Sequence, residues 1–171
     1  MFNEWQTLQV RLQAHPEISI RVTRTTPAGA PSAYEVTYNI RSLCGVEGWQ
    51  HLDEPDIVCR PCYAERFVMD IDLPPGYPGI DAPPAFCFRT TDAEGKQIPH
   101  PWHPNIRWFG QMAGRVCINM SDSYTELAWG VLRVAEYLRF ERYHATQEPP
   151  YPEDPMVARW VIRQGEPNGW I

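Results

Sequence analysis

The chain has no run of roughly 18 apolar residues, the length a membrane-spanning helix needs. Its opening, MFNEWQTLQVRLQ, lacks the charged start and apolar core of an export signal. Membrane insertion and secretion are therefore not expected, which leaves the cytoplasm. An excess of basic residues is missing too: the formal charge is -6 and the pI near 5.3, which argues against a nucleic-acid partner held by neutralised phosphates. The Cys59-Arg-Pro-Cys62 motif has no second Cys-x-x-Cys and no nearby histidine pair, so a zinc finger is not expected. Nor does it follow a strand and open a helix, as a thioredoxin-type motif would. No Lys-Ser/Thr follows the glycines at 110 and 114, so they are not a phosphate loop, and no zinc-deaminase pairing of His-x-Glu with Pro-Cys-x-x-Cys occurs. Five cysteines, an odd number without an export signal, read as free thiols in a reducing compartment. Internal repeats and low-complexity segments are absent as well.

The 171 residues fit one domain, spanning 1–171. Eighteen prolines in a chain that is 43% hydrophobic and 12% aromatic read as ordered turns rather than disorder. Phe2, Trp5, Leu8 and Leu12 fall at helical spacing until Pro16, which predicts an amphipathic first helix. Alternation then takes over. Ile18, Ile20 and Val22 predict one strand, and Tyr34, Val36, Tyr38 and Ile40 a second after the PAGAPS turn. Phe67, Met69 and Ile71 predict a third, and Phe86 and Phe88 anchor a fourth. Residues 43–63, broken by Gly45, Gly48, Pro55 and Pro61, read as irregular.

Further on, Ser123 and Glu126 are spaced as a capping box ahead of Leu127, Val131, Val134 and Leu138, with Arg139, Arg142 and His144 at the negative end of the helix dipole. A last helix starts with Asp154 and Pro155, carries Val157, Trp160 and Val161, and closes at Gly165. Strands grouped between helices give an α+β class: an N-terminal helix, a four-stranded antiparallel meander, a loop segment bearing the candidate site, and two C-terminal helices.

That loop segment, residues 99–120, joins a stiff corner to a thiol. Proline fixes its own backbone and pushes the preceding residue towards extended geometry, so His103-Pro104 aims Asn105. Cys117 stands between Val116 and Ile118, where a cysteine is either a core residue or a nucleophile. Asn105 is either a turn asparagine or an amide donor to an oxyanion. Asp154 before Pro155 is an ordinary N-cap by position. Glu153 and Asp122 are the other carboxylates within reach of the same region.

Tyr77-Pro78, Pro83-Pro84, His103-Pro104-Asn105 and Cys117, in that order behind a strand, resemble the ubiquitin-conjugating enzymes over about residues 34 to 162. A departure is visible: residues 107–113 lengthen the path from Asn105 to Cys117, and 43–63 exceeds the usual hairpin. The resemblance implies a conjugating-enzyme fold and a cysteine thioester on Cys117. It further implies oxyanion stabilisation by Asn105, a structural role for His103 and Pro104, and orientation of the incoming lysine by Asp154. Trp5 and Leu8 would lie on the helix that docks an activating enzyme, although packing on the sheet is the simpler reading of both. Partners would be that activating enzyme, a ubiquitin-like modifier and a target with an acceptor lysine. No cofactor is implied, since ATP is spent by the activating enzyme. The tail, EPNGWI, lacks the diglycine of a modifier. Divergent relatives of this kind belong to bacterial conjugation operons, some antiviral. The rivals are a non-catalytic variant that only binds a ubiquitin-like protein, and a metal or redox module centred on Cys59 and Cys62.

Overall fold

In a computed structural model, residues 2–54, 56–79, 82–118, 126–146 and 148–171 are described. Helix α1 (Phe2–Leu12) is followed by strands β1 (Ile18–Thr25) and β2 (Pro31–Tyr38), whose alternation sets their faces. Next come β3 (Ser42–Val46), β4 (Pro61–Ala64), β5 (Phe67–Asp72) and β6 (Ala85–Phe88). Helices α2 (Leu127–Leu138) and α3 (Pro155–Trp160) close the chain, α3 running into a π-helical turn at Val161–Gly165. The predicted meander is present as an antiparallel sheet ordered β1-β2-β5-β6.

One face of that sheet makes the main core. Tyr34, Val36, Tyr38, Phe67, Met69, Ile71, Phe86 and Phe88 meet Leu8 and Leu12 of α1 and Leu127, Val131, Val134 and Leu138 of α2. The buried Tyr38 hydroxyl donates to the Val131 carbonyl at 3.0 Å, which satisfies a group that is costly to bury unpaired. Leu8 is fully enclosed and Trp5 half-buried, its ring 5.4 Å from that of Tyr34. This corrects Leu8 as an activating-enzyme contact, because its surface is already spent on the core; among the described side chains of α1, Val10, 64% exposed, is the large apolar one left outside. Of the expected capping box, Ser123 lies outside the described residues, as does Asp122. Glu126 is the N-cap of α2 without a side-chain capping bond, and it pairs with Arg11 at 3.3 Å instead.

Residues 43–63 differ from expectation. They hold a second, two-stranded sheet, β3 against β4, in which Leu43 faces Tyr63 and Val46 faces Pro61. An irregularity between Leu43 and Gly45 interrupts the alternation and hides the strand from a period-based reading. This hairpin builds a second core of Leu43, Val46, Leu52, Cys59 and Trp102 beneath Val157, Trp160 and Val161. Cys59 is a structural link in it: its N–H donates to Gln164 Oε1 at 2.8 Å, and its carbonyl accepts from Trp160 Nε1 at 3.0 Å. Trp170 packs down, stacked 6.1 Å from Trp160. Among the described residues, no three His, Cys, Asp or Glu side chains are grouped to hold a metal, and no helix is long and apolar enough to cross a membrane.

After β6 the chain returns along the edge of the sheet. Phe88 N–H donates to Gly114 O and Val116 N–H to Phe86 O, at 2.8 and 3.0 Å, so 114–116 extend the sheet beyond β6. Gly114, at φ 87°, is required by this contact, since a Cβ there would lie 2.0 Å from Phe88 O. Gly114→Ala is expected to cost roughly 3 kcal/mol or more, against about 1 kcal/mol for Gly95→Ala. At Gly95 φ is also positive, 79°, but nothing lies within 4 Å of a Cβ. Urea unfolding of the two variants checks the ranking.

Candidate active site

The site is built on one short ladder. Ile106 bridges Val116 in antiparallel register, which pairs Asn105 with Cys117 on one side and Arg107 with Arg115 on the other. Cys117 N–H donates to Asn105 O at 2.8 Å, and Arg107 N–H to Arg115 O at 2.9 Å. Side chains alternate along a strand, so Ile106 and Val116, 0% and 8% exposed, take the core side and the other four share the opposite face. Directly opposed residues hold their Cβ atoms about 4.5–5.5 Å apart. The inserted residues therefore form the end of a hairpin and add nothing to the separation of Asn105 from Cys117.

Both ends of the Asn105 carboxamide are thereby assigned. Its Oδ1 accepts the His144 N–H at 2.9 Å, so Nδ2 is the other end, and among the described residues no hydrogen bond takes it up. Asn105 itself is 7% exposed. Below it, His103 is fully buried, its ring 4.9 Å from that of Tyr137 and 4.8 Å from that of Phe140. Nδ1 of His103 accepts the Asn105 N–H at 3.1 Å, which leaves Nε2 to donate to Arg142 O at 3.1 Å. That is a neutral imidazole with both nitrogens spent, a structural part of the corner. Tyr137 adds a bond from its hydroxyl to Cys117 O at 3.4 Å.

Asp154 is the N-cap of α3. One carboxylate oxygen accepts the N–H groups of Met156 and Val157, each at 3.2 Å, and the other accepts that of Trp108 at 2.9 Å. The residue is 2% exposed, and its own N–H donates to Pro104 O at 2.9 Å. Asp154 thus ties the helix start, the inserted hairpin and the His-Pro-Asn corner together, its carboxylate buried against three backbone N–H groups. Among the described residues, Glu153 is the acidic side chain that lines the groove of the thiol. With Pro83, Pro84, Arg115 and Cys117 it lines a groove of about 260 Å³, and its Oε1 pairs with Arg115 at 2.7 Å and Arg107 at 3.3 Å.

Cys117 is exposed in that groove. Its thiol is pushed above the ordinary value, by partial burial first and by the Glu153 carboxylate second, with Arg115 opposing. The ladder thus brings together Cys117, Asn105, Pro104, His103 and, through backbone, Asp154; Trp5 and Leu8 belong to the core on α1. Arg107 and Arg115 were missed by sequence reading. The signal was available in their period: each stands two residues from Asn105 or Cys117, on the same strand face.

No family model matches the sequence, and no curated protein matches it. Solved structures do match. The E2 domain of a ubiquitin conjugating enzyme from Toxoplasma gondii superimposes with a TM-score of 0.51 at 19% identity, covering 95% of this chain and 89% of that one. A ubiquitin conjugating enzyme from Plasmodium falciparum gives 0.44 at 18% identity, covering 81% and 96%. The first of these likenesses shows the fold.

The buried corner has a consequence for stability. Burial holds the His103 imidazole down from 6.5 to about 3, while in the unfolded chain it titrates near 6.5. As pH falls below that value the unfolded chain binds a proton the folded chain refuses, so stability drops between about pH 6.5 and about pH 3 and is level above. The His103 contribution to the loss is expected to reach roughly 2 kcal/mol between about pH 7 and about pH 5. Urea unfolding at both values, with His103→Asn as the variant that flattens this part of the profile, measures it.

Proposed function

We propose that this chain, which has the fold of the ubiquitin-conjugating enzymes, carries a ubiquitin-like protein as a thioester on Cys117 and passes it to an amine of a target. The observation that supports this most is the cross-strand pair: an exposed thiol opposite a carboxamide whose oxygen is tied down and whose Nδ2 has no hydrogen bond among the described residues. A rival reading as a binding-only variant has no use for that pair.

In the first step the Cys117 thiolate attacks the modifier's thioester on the activating enzyme, and the activating enzyme's thiol leaves. In the second a target amine attacks the new thioester. The carbonyl oxygen takes up negative charge, which Asn105 Nδ2–H is placed to meet. The C–S bond then breaks, Cys117 leaves as thiolate, and the amine's proton goes to solvent. No base beside the sulfur is needed, since an amine attacks a thioester readily once desolvated. Glu153, held by Arg107 and Arg115, is the carboxylate that meets the incoming amine. Asp154 is a positioning residue, because three backbone N–H groups already occupy its oxygens. The chemistry calls for no prosthetic group, and ATP is spent by the activating enzyme. On the sequence resemblance, the setting is a bacterial conjugation system with a role in antiviral defence.

Ubiquitin activated as its mercaptoethanesulfonate thioester tests the reading without an activating enzyme. Wild type is expected to gain a reductant-sensitive adduct on Cys117, and Cys117→Ser to gain none. Asn105→Asp keeps the acceptor for the His144 N–H but loses the donor. It should therefore form the adduct normally and discharge it to free lysine about 10²-fold more slowly. An adduct on another cysteine, or none on wild type, would overturn the assignment. Independently, Glu153→Gln removes a charge that raises the Cys117 thiol, so the pH profile of its alkylation by iodoacetamide should move to lower pH.

A further inference from the structure

Of the 15 lysine and arginine residues in this chain, only Lys96 is a lysine. Lysine is among the commonest residues of globular proteins, and folding does not account for its replacement here. Two arginines make single, solvent-facing contacts that an ammonium would serve as well: Arg11 to Glu126 at 3.3 Å and Arg142 to Glu136 at 2.9 Å. Exposed pairs of this kind contribute little to stability whichever cation supplies them. The two cations differ in nucleophilicity. A lysine amine, with a pKa of about 10.4, is deprotonated part of the time near neutrality, whereas a guanidinium, above about 12, is not.

The distribution sharpens the point. Both cations on the face shared with Cys117 are arginines, Arg107 and Arg115, with side chains 35% and 47% exposed. Lys96 sits in a turn closed by Asp92, whose carboxylate accepts the Lys96 N–H at 2.8 Å and whose N–H donates to Lys96 O at 2.9 Å. By the register of the Cys87–Arg115 bridge, Cys117 lies beside Ala85, at the start of β6. The turn lies beyond the other end, where Arg89 still pairs with Val68. From Ala85 to Arg89 alone is about 13 Å along the strand, so the one lysine amine is held away from the thiol.

Resting on the function proposed above, we infer that this surface is kept free of amines so that the acyl group on Cys117 is not captured by the chain that carries it. Capture in cis would follow the same balance as transfer: the amine nitrogen bonds to the thioester carbonyl, the C–S bond breaks, Cys117 is released, and a proton goes to solvent. The product is an amide that ends turnover. Arginine at these positions keeps the charge and removes the acceptor, and aminolysis is left to an amine from outside.

The test charges the full chain with the ubiquitin mercaptoethanesulfonate thioester and resolves reductant-sensitive from reductant-resistant adducts over time, with mapping of any amide by mass spectrometry. Wild type is expected to show the sensitive adduct and less than about a tenth as much resistant product as lysine-bearing variants. Those variants are Ala85→Lys, beside the thiol on the exposed face of β6, and Tyr151→Lys, at a 67% exposed position two residues before Glu153. Each should accumulate an amide at the introduced lysine, lost again when Cys117→Ser is added. Lys96→Arg should change nothing.

Resistant product on Lys96 of the wild type, or charged variants whose new lysines stay unmodified while free lysine discharges them, would overturn the inference and leave the thioester reading intact. Absence of any sensitive adduct would remove both.

Discussion

Two backbone hydrogen bonds hold the candidate site together: Cys117 N–H to Asn105 O, and Arg107 N–H to Arg115 O. They close a ladder of three residue pairs at the edge of the sheet, and the pleat does the rest, sending Ile106 and Val116 inwards and the thiol, the carboxamide and both guanidinium groups outwards. Each neighbouring element fastens this ladder. β6 anchors it through Phe86 and Phe88, α2 reaches it through Tyr137, and α3 is tied to the corner by Asp154. A side chain on a paired strand is held far more closely than one on a free loop, which is what a donor aimed at a developing oxyanion requires.

The electrostatics of the groove bear on the carriage proposed for Cys117. Partial burial and the Glu153 carboxylate both hold the Cys117 proton on, so in the function proposed the incoming acyl group would have to arrive already activated. A thiol of higher pKa is also a slower leaving group, which would lengthen the life of the acyl adduct proposed for it. A nearly lysine-free surface acts in the same direction, by withholding amines. Arg115 opposes Glu153, and their close pairing keeps the net charge beside the sulfur small.

The second core explains why α3 stands where the site needs it. Strands β3 and β4 supply Leu43, Val46 and Cys59 as a floor, Trp102 fills the space above, and Val157, Trp160 and Val161 close it. Trp102 N–H donates to Leu43 O at 2.8 Å, which joins the start of the site segment to the hairpin directly. The Cys59 link to Trp160 and Gln164 holds the far end of the same helix. A segment that departs from the common hairpin length is thus structural support for Glu153 and Asp154.

The sequence by itself determined the period-driven parts. Strands β1, β2, β5 and β6, helix α2 and the Asp154-Pro155 helix start were legible because alternation, helical spacing and N-capping are local physics. The candidate thiol and the carboxamide proposed to serve it were legible only as a motif, through resemblance. Tertiary structure alone decided the remainder. β3 and β4 were hidden by an irregularity and by glycine and proline, and whether Leu8 faces a sheet or a partner is not written in its helical spacing. Asn105 and Cys117 are brought opposite each other only by the hairpin between them, and Glu153 meets Arg107 and Arg115 across a long stretch of chain. Such pairings depend on register and on which helix packs where, and sequence spacing does not encode either.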